Sequence, residues 1–424
     1  MSRFVIRGGR RLSGRHKPPG NKNAALPMLA ACLLTDEPVV LSNVPRYEDV
    51  HTMLRMLENL GVSVDLRGHA VTLCAAGVRR TRLDAALCRA VRSSILFAGP
   101  MAARLGKLTL YPPGGDGIGR RPLETHFAAL RQLGIRVEGR NPYRIVCSNL
   151  TGADILLSEA SVTATENVLM AAALAKGTTT IFNAACEPHV SDLCHMLNSM
   201  GAQISGIGTN FLTVEGVERL HGVRHRLEPD YIEIVSFMAA AALTGGSLEV
   251  EDPPVSSMEI VSRPLRMLGL RWSYADGKLL MPAEQKLRIH NDDDLAVPKI
   301  EDGPWPGFPS DLMSVVILVA ARASGSVLFF EKMFESRMYF VDRLIEMGAR
   351  IVQCDPHRVV VSGPSTLRGI HMSSPDIRAG MAMLLAALCA EGESVIDSAE
   401  LIDRGYEQVE RKLRRLGADI VRRN

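Results

Sequence analysis

Apolar residues recur along the chain at intervals of three and four, in short runs that end on Leu-Gly or Met-Gly. Leu123, Phe127, Leu130 and Leu133 make one such run, and Tyr406, Val409, Leu413 and Leu416 another. This spacing predicts amphipathic helices. An alternating apolar and polar run follows each, which predicts a strand. The closing pairs are Leu60-Gly61, Leu133-Gly134, Met200-Gly201, Leu268-Gly269, Met347-Gly348 and Leu416-Gly417, spread at nearly even intervals from one end of the chain to the other. A second pattern keeps step with the first: an Ala-rich apolar helix, a tight turn and a β-rich strand, as in Glu166 to Phe182. Its turns fall near Asp36, Gly106, Gly177, Gly246, Gly325 and Gly392, each at a similar distance before the next closing glycine. A repeat this long is a folding unit of two helices plus strands. The pattern predicts six copies of one α/β unit.

Six copies split naturally three and three. The charged stretch His225-Arg226-Leu227-Glu228-Pro229-Asp230 lies between the third and fourth and marks the main boundary. With 424 residues, 46% hydrophobic and 22% charged, the chain has ample core for two or three domains. A net charge of +3 is too small to imply a polyanionic partner, and no Lys/Arg block interleaves with aromatics. Nucleic-acid binding is therefore not expected. Eight cysteines are scattered without CxxC spacing, which fits a reduced cytoplasm. Cys186, His189, Cys194 and His195 match no standard zinc spacing and read as helix-face residues, so neither metal nor cofactor is expected. Apolar runs such as Met381 to Cys389 fall far short of the ~18 residues that span a bilayer.

Charge is placed unusually. Arg121 precedes Gly134 by the same offset as Arg404 precedes Gly417, and Arg337 stands slightly nearer to Gly348; all three come just ahead of amphipathic helices. Arginine at a helix N-terminus opposes the helix dipole by about 0.3–1 kcal/mol. Such positions suggest an anionic ligand held by guanidinium forks and helix N–H groups; pairing with nearby Asp403 or Glu335 is the local alternative. Counting back one fixed offset from the turns at Asp36, Gly106, Gly325 and Gly392 gives Lys22, Arg92, Asp311 and Arg378, at the starts of Ala-rich helices. Six cations and one carboxylate at equivalent helix starts form a site for a multiply charged substrate, with Arg337 and Arg378 among its binding residues. The loop Pro113-Gly114-Gly115-Asp116-Gly117-Ile118-Gly119-Arg120-Arg121-Pro122 is neither a dinucleotide fingerprint nor a Walker A loop. It reads as a plain Gly-rich turn or as a lid that carries an acid.

These segments resemble the enolpyruvyl transferase family. The resemblance runs along essentially the whole chain. It rests on Gly20-Asn21-Lys22-Asn23-Ala24-Ala25-Leu26-Pro27, Arg92-Ser93-Ser94, the Gly-Gly-Asp loop and Thr163-Ala164-Thr165-Glu166-Asn167. It continues in Phe308-Pro309-Ser310-Asp311, Phe334-Glu335-Ser336-Arg337, Asp376-Ile377-Arg378 and Ile402-Asp403-Arg404-Gly405-Tyr406. The branch acting on shikimate 3-phosphate carries a Ser-Lys-Ser type signature where this chain has Asn21-Lys22-Asn23.

The resemblance implies a two-lobed inside-out α/β barrel, with residues 22–228 as the first lobe and 1–21 plus 229–424 as the second. It implies transfer of enolpyruvyl from phosphoenolpyruvate to the 3-hydroxyl of UDP-N-acetylglucosamine, with release of phosphate. That is a cytoplasmic first step of peptidoglycan precursor synthesis, serving cell-wall biogenesis and division. Lys22, Arg121 and Arg404 would hold phosphoenolpyruvate, with Asn23 nearby. Arg92, Arg121, Pro122, Leu123, Glu124, Thr125, Glu159, Ala160, Ser161, Val162, Asp311 and Met333 would contact the nucleotide sugar. Asp116 would donate a proton and Asp311 would face the attacking hydroxyl, so that Asp116, Lys22, Asp311 and Arg404 form the catalytic set. Three positions depart from the usual pattern. Asp116 replaces a frequent cysteine, the thiol that fosfomycin alkylates, so resistance to that drug is expected. Glu159 stands where a lysine is frequent, and Tyr231 where an arginine is. They keep open the same chemistry on another nucleotide or alcohol. A non-catalytic binding paralogue is the remaining alternative, disfavoured by Lys22, Asp116, Asp311 and Arg404 together.

Overall fold

The computed structural model describes residues 2–115, 117–119, 121–291 and 296–423. The chain forms two compact units. One holds the described residues of Pro19–Asp116 and Arg121–Glu228; the other holds those of Met1–Pro18, Gly117–Arg120 and Pro229–Asn424.

The Ala-rich segments become the centre of each unit because they have no polar face to show to water. In the first unit helix Val162–Ala172 packs on both Lys22–Ala31 and Ala98–Leu105. From Ala164 to Ala172 the last of these is buried at every position. In the second unit Tyr231–Leu243, Met313–Arg322 and Ile377–Cys389 pack on one another, and Tyr231–Leu243 is buried throughout. Small side chains allow close approach. A Cβ on Gly99 would lie 2.3 Å from the Asn167 carbonyl oxygen. Asn167 fastens that contact: its Oδ1 accepts from Gly99 N at 2.8 Å and its Nδ2 donates to Ile95 O at 3.0 Å.

Among the described residues each unit surrounds its buried helices with three small sheets. Five sheets have four strands, in which one edge strand runs parallel and the other pairings are antiparallel. In strand Thr178–Phe182 the buried positions alternate, Thr179 and Ile181 facing in. The amphipathic helices lie outside. In Glu48–Leu60 the residues Val50, Met53, Leu54, Leu57 and Leu60 are buried. Strand Arg3–Arg7 pairs with Glu393–Asp397 and Asp419–Arg423, so the N-terminus lies in the sheet formed by the C-terminal segment.

All six closing glycines have positive φ, from 88° at Gly134 to 110° at Gly417. That conformation lets the chain leave the helix and turn back as a strand. At Gly134 a Cβ would also meet the Asn149 carbonyl oxygen at 2.4 Å. Gly134→Ala is therefore expected to lower stability by about 1–3 kcal/mol, read as a lower urea midpoint with unchanged slope. Among the described residues no helix is long and apolar enough to cross a membrane.

Candidate functional site

In the first unit the charged helix starts gather into two groups. Asn21 caps helix Lys22–Ala31, its Oδ1 accepting from Asn23 N at 2.8 Å and from Ala24 N at 3.2 Å. The cap places Lys22 at the first helical position. There its ammonium lies 2.7 Å from Asp49 Oδ2, and both side chains are buried. Asp49 sits in the first turn of helix Glu48–Leu60, where a carboxylate suits the helix dipole.

The second group centres on Arg92, the first residue of the 3-10 segment Arg92–Phe97. Its guanidinium donates to the carbonyls of Arg121 and Pro122. Burial, and then the charge of Arg121, lower the Arg92 pKa to about 10, with Tyr143 and Glu159 opposing. Thr125 Oγ1 donates to Glu159 Oε1 at 3.1 Å and lies 3.1 Å from Ser158 Oγ. Behind them His126 is buried, and its pKa is lowered to about 3 by burial and by the charges of Arg92 and Arg121. It is neutral at physiological pH. Asn167 Nδ2 donates to its Nδ1 at 3.0 Å, which leaves the proton on Nε2, directed at Thr163 Oγ1 at 3.1 Å. The segment thus brings together Arg92, Arg121, Thr125 and Glu159. Ser161 is the N-cap of helix Val162–Ala172, its hydroxyl accepting from Ala164 N at 3.4 Å.

In the second unit a carboxylate is held between two arginines. Asp311 lies on the 3-10 segment Ser310–Leu312. Arg337 Nη2 donates to its Oδ1 at 2.6 Å and Arg378 Nη2 to its Oδ2 at 3.1 Å. The arginine side chains are only 8% and 6% exposed, whereas the Asp311 side chain is 26% exposed. The carboxylate is therefore the accessible tip of a buried cationic cradle. Burial acts to raise its pKa, but the charges and hydrogen bonds of Arg378 and Arg337 hold it well below the usual carboxylate range. Asp376 caps the helix that presents Arg378, accepting from its backbone N at 2.8 Å. Arg378 Nη1 also donates to the Tyr406 hydroxyl at 3.3 Å, which lies 3.0 Å from Ser236 Oγ. Met333 is 40% exposed in the loop after strand Gly325–Phe330.

Two sequence readings change. The arginines ahead of the amphipathic helices do not sit at their first turns: the helices begin at Glu124, Val341 and Val409, three to five residues beyond Arg121, Arg337 and Arg404. The dipole argument therefore does not apply to them directly. Arg337 takes neither local carboxylate, but Asp311, 26 residues away. Asp403 instead binds Arg422 through two bonds of 2.6 and 2.8 Å. Tyr231, at the first position of its helix, is buried and packs against Trp305 with ring centroids 5.8 Å apart. Asp116, the expected proton donor, lies outside the described residues. Asp49, His126 and Tyr406 carry site interactions that sequence reasoning missed.

Residues 6–413 match the family model described as EPSP synthase (3-phosphoshikimate 1-carboxyvinyltransferase). The chain is 51% identical to the UDP-N-acetylglucosamine 1-carboxyvinyltransferase of Treponema denticola, covering 99% of both chains. It is 49% identical to the enzyme of that name from Bradyrhizobium diazoefficiens, covering 99% of this chain and 97% of the relative. Among solved structures, the enolpyruvyl transferase NikO from Streptomyces tendae superposes with a TM-score of 0.89 at 24% identity, covering 99% of this chain and 98% of that one. EPSP synthase from Acinetobacter baumannii gives 0.77 at 19% identity, with full coverage of both chains. These two likenesses bear on the fold.

Proposed function

Because the chain belongs to the EPSP synthase family of enolpyruvyl transferases, and within it to the group named UDP-N-acetylglucosamine 1-carboxyvinyltransferase, we propose that it transfers enolpyruvyl from phosphoenolpyruvate to the 3-hydroxyl of UDP-N-acetylglucosamine. The observation that carries this reading is identity near 50% along the full length of both chains. In the addition step the hydroxyl passes its proton to Asp311 as its oxygen bonds to C2 of phosphoenolpyruvate, and Asp116 gives a proton to C3, giving a phosphate-bearing ketal. In the elimination step C3 loses a proton and the bond from C2 to the phosphate oxygen breaks, releasing phosphate.

Each residue then has a role. Asp311, ionised and partly open, accepts the hydrogen bond of the attacking hydroxyl, and Arg337 and Arg378 fix its orientation. Arg92, Thr125 and the segments 121–125 and 159–162 hold the nucleotide sugar. Lys22, Arg121 and Arg404 offset the charge of the donor and of the departing phosphate, with Asn23 beside Lys22. Asp116 supplies the proton at C3. The setting is cytoplasmic synthesis of peptidoglycan precursors, and thus cell-wall growth and division.

The rival reading, the same chemistry on another alcohol, draws on Glu159 and Tyr231. Glu159 is an acceptor for Thr125 beside Arg92, where a lysine would add positive charge. Phosphate release measured over a panel of UDP-N-acetylglucosamine, other nucleotide sugars and shikimate 3-phosphate separates the two. UDP-N-acetylglucosamine is expected to lead; a higher kcat/KM for another acceptor overturns the assignment. Fosfomycin is expected to leave the enzyme active, and Asp116→Cys to remain active and become sensitive to the drug, since a thiolate opens the epoxide and a carboxylate is a far weaker nucleophile. Time-dependent inactivation of the unsubstituted enzyme would contradict this.

A further inference from the structure

Two carboxyl side chains that the mechanism leaves unused meet in the interior of the second unit. Strands Lys299–Glu301 and Gly325–Phe330 run parallel, with Glu301 opposite Phe330. Asp302 and Glu331 are the residues that follow at the two strand ends. Asp302 is 1% exposed and Glu331 0%. Ser310 Oγ lies 2.9 Å from both Glu331 oxygens, and Phe334 N donates to Oε1 at 3.1 Å. Asp302 Oδ1 accepts from Lys332 N. Asp302 Oδ2 is buried and has no hydrogen-bond donor among the described residues.

We propose that Asp302 and Glu331 share one proton and that the protonated pair is a positioning device for Asp311 and Arg337. The proton supplies the donor that Asp302 Oδ2 otherwise lacks. It also avoids two adjacent buried anions, which burial makes costly. With the proton in place, Glu331 grips Ser310, next to Asp311, and Phe334, three residues before Arg337. Without it, a second anion competes with Asp311 for the Arg337 guanidinium. Burial first, and then the hydrogen bond and charge of Asp302, push Glu331 up to about 9, with Arg337 and Ser310 opposing. The other charged or titratable groups around the pair are already engaged. Lys332 Nζ pairs with Glu301 at 2.9 Å, and the His357 ring nitrogen Nδ1 lies 2.7 Å from the Glu331 carbonyl oxygen. Asp311 is held by Arg337 and Arg378.

The positioning claim rests on the proposed reaction; the shared proton does not, so two readouts are needed. The first is the pH profile of kcat and KM for UDP-N-acetylglucosamine. The unsubstituted enzyme is expected to lose kcat/KM above about pH 9. Glu331→Gln, whose amide donates to Asp302 and accepts from Ser310 at every pH, is expected to stay active at pH 7 and to lose that alkaline limb. Asp302→Asn is expected to behave likewise. Glu331→Ala, which cannot hold Ser310, should raise KM about tenfold, on the order of one lost charge-assisted hydrogen bond.

The second readout is thermal or urea unfolding without substrate. An acid whose folded pKa is raised contributes stability that is full below its ordinary value near 4.5 and is lost as pH rises toward about 9, levelling beyond it. Relative to Glu331→Gln, the unsubstituted protein should therefore lose stability from pH 5 to pH 9, by up to about tenfold in the folding equilibrium per pH unit. A difference that does not change with pH overturns the shared proton. A pH-dependent difference together with an identical alkaline limb in both proteins overturns the positioning role. A pH-dependent difference with no turnover of phosphoenolpyruvate and UDP-N-acetylglucosamine instead overturns the reaction. If Glu331→Gln fails to fold, Asp302→Asn decides the same questions.

Discussion

Asp311→Asn is expected to slow turnover at least about a hundredfold, the range for removing a group that handles a proton in the transition state. The asparagine keeps the shape and one acceptor oxygen but loses the charge. Its amide nitrogen would face one of the two guanidiniums that now donate to Asp311 at 2.6 and 3.1 Å. Arg337 and Arg378 are both buried, so removing their common carboxylate should also cost stability, about 3–5 kcal/mol if nothing compensates. Substrate phosphate can offset part of that repulsion, and the variant should gain more in melting temperature from UDP-N-acetylglucosamine than the unsubstituted protein does. The checks are single-turnover phosphate release and melting with and without the nucleotide sugar. A folded Asp311→Asn enzyme with half or more of the normal kcat would remove Asp311 from the chemistry.

Lys22→Ala is expected to lower kcat/KM for phosphoenolpyruvate at least tenfold to hundredfold, since one charge-assisted contact is worth about 1.5–3 kcal/mol. Arg404→Ala is expected to do the same. Lys22 also has a structural partner: its ammonium lies 2.7 Å from Asp49, with both side chains under a tenth exposed. Removing one member of a buried ion pair destabilises by about 3–5 kcal/mol. The informative comparison is therefore Lys22→Ala against Lys22→Ala/Asp49→Ala. The double variant should recover much of the stability and none of the activity. If it recovered both, Lys22 would be a structural residue.

Some of these features are legible in the sequence and others are not. The closing glycines were legible because a chain that ends a helix and reverses needs a residue that tolerates positive φ, and all six take it. The buried helices were legible because they lack a polar face. Lys22, Arg92, Asp311 and Arg378 stood out because each interrupts an apolar pattern. Their partners did not stand out, because those pairings are made by the tertiary fold. Asp311 meets Arg378 across 67 residues and Arg337 across 26, and Lys22 meets Asp49 on a different helix. Periodicity marks a helix interior better than its start, which puts the arginines of the amphipathic helices too close to the first turn. The carboxyl pair of Asp302 and Glu331 left no local signal. It depends on the register of two parallel strands, which a single sequence does not reveal.

In the proposed reaction phosphate leaves phosphoenolpyruvate only when the acceptor hydroxyl is present to form the ketal. Initial rates of phosphate release from phosphoenolpyruvate by the purified enzyme, with and without UDP-N-acetylglucosamine, test it most directly. The expected result is saturable release that depends on the nucleotide sugar, with one enolpyruvyl ether formed per phosphate. Release that proceeds equally without UDP-N-acetylglucosamine, or no release with it, would rule this reaction out.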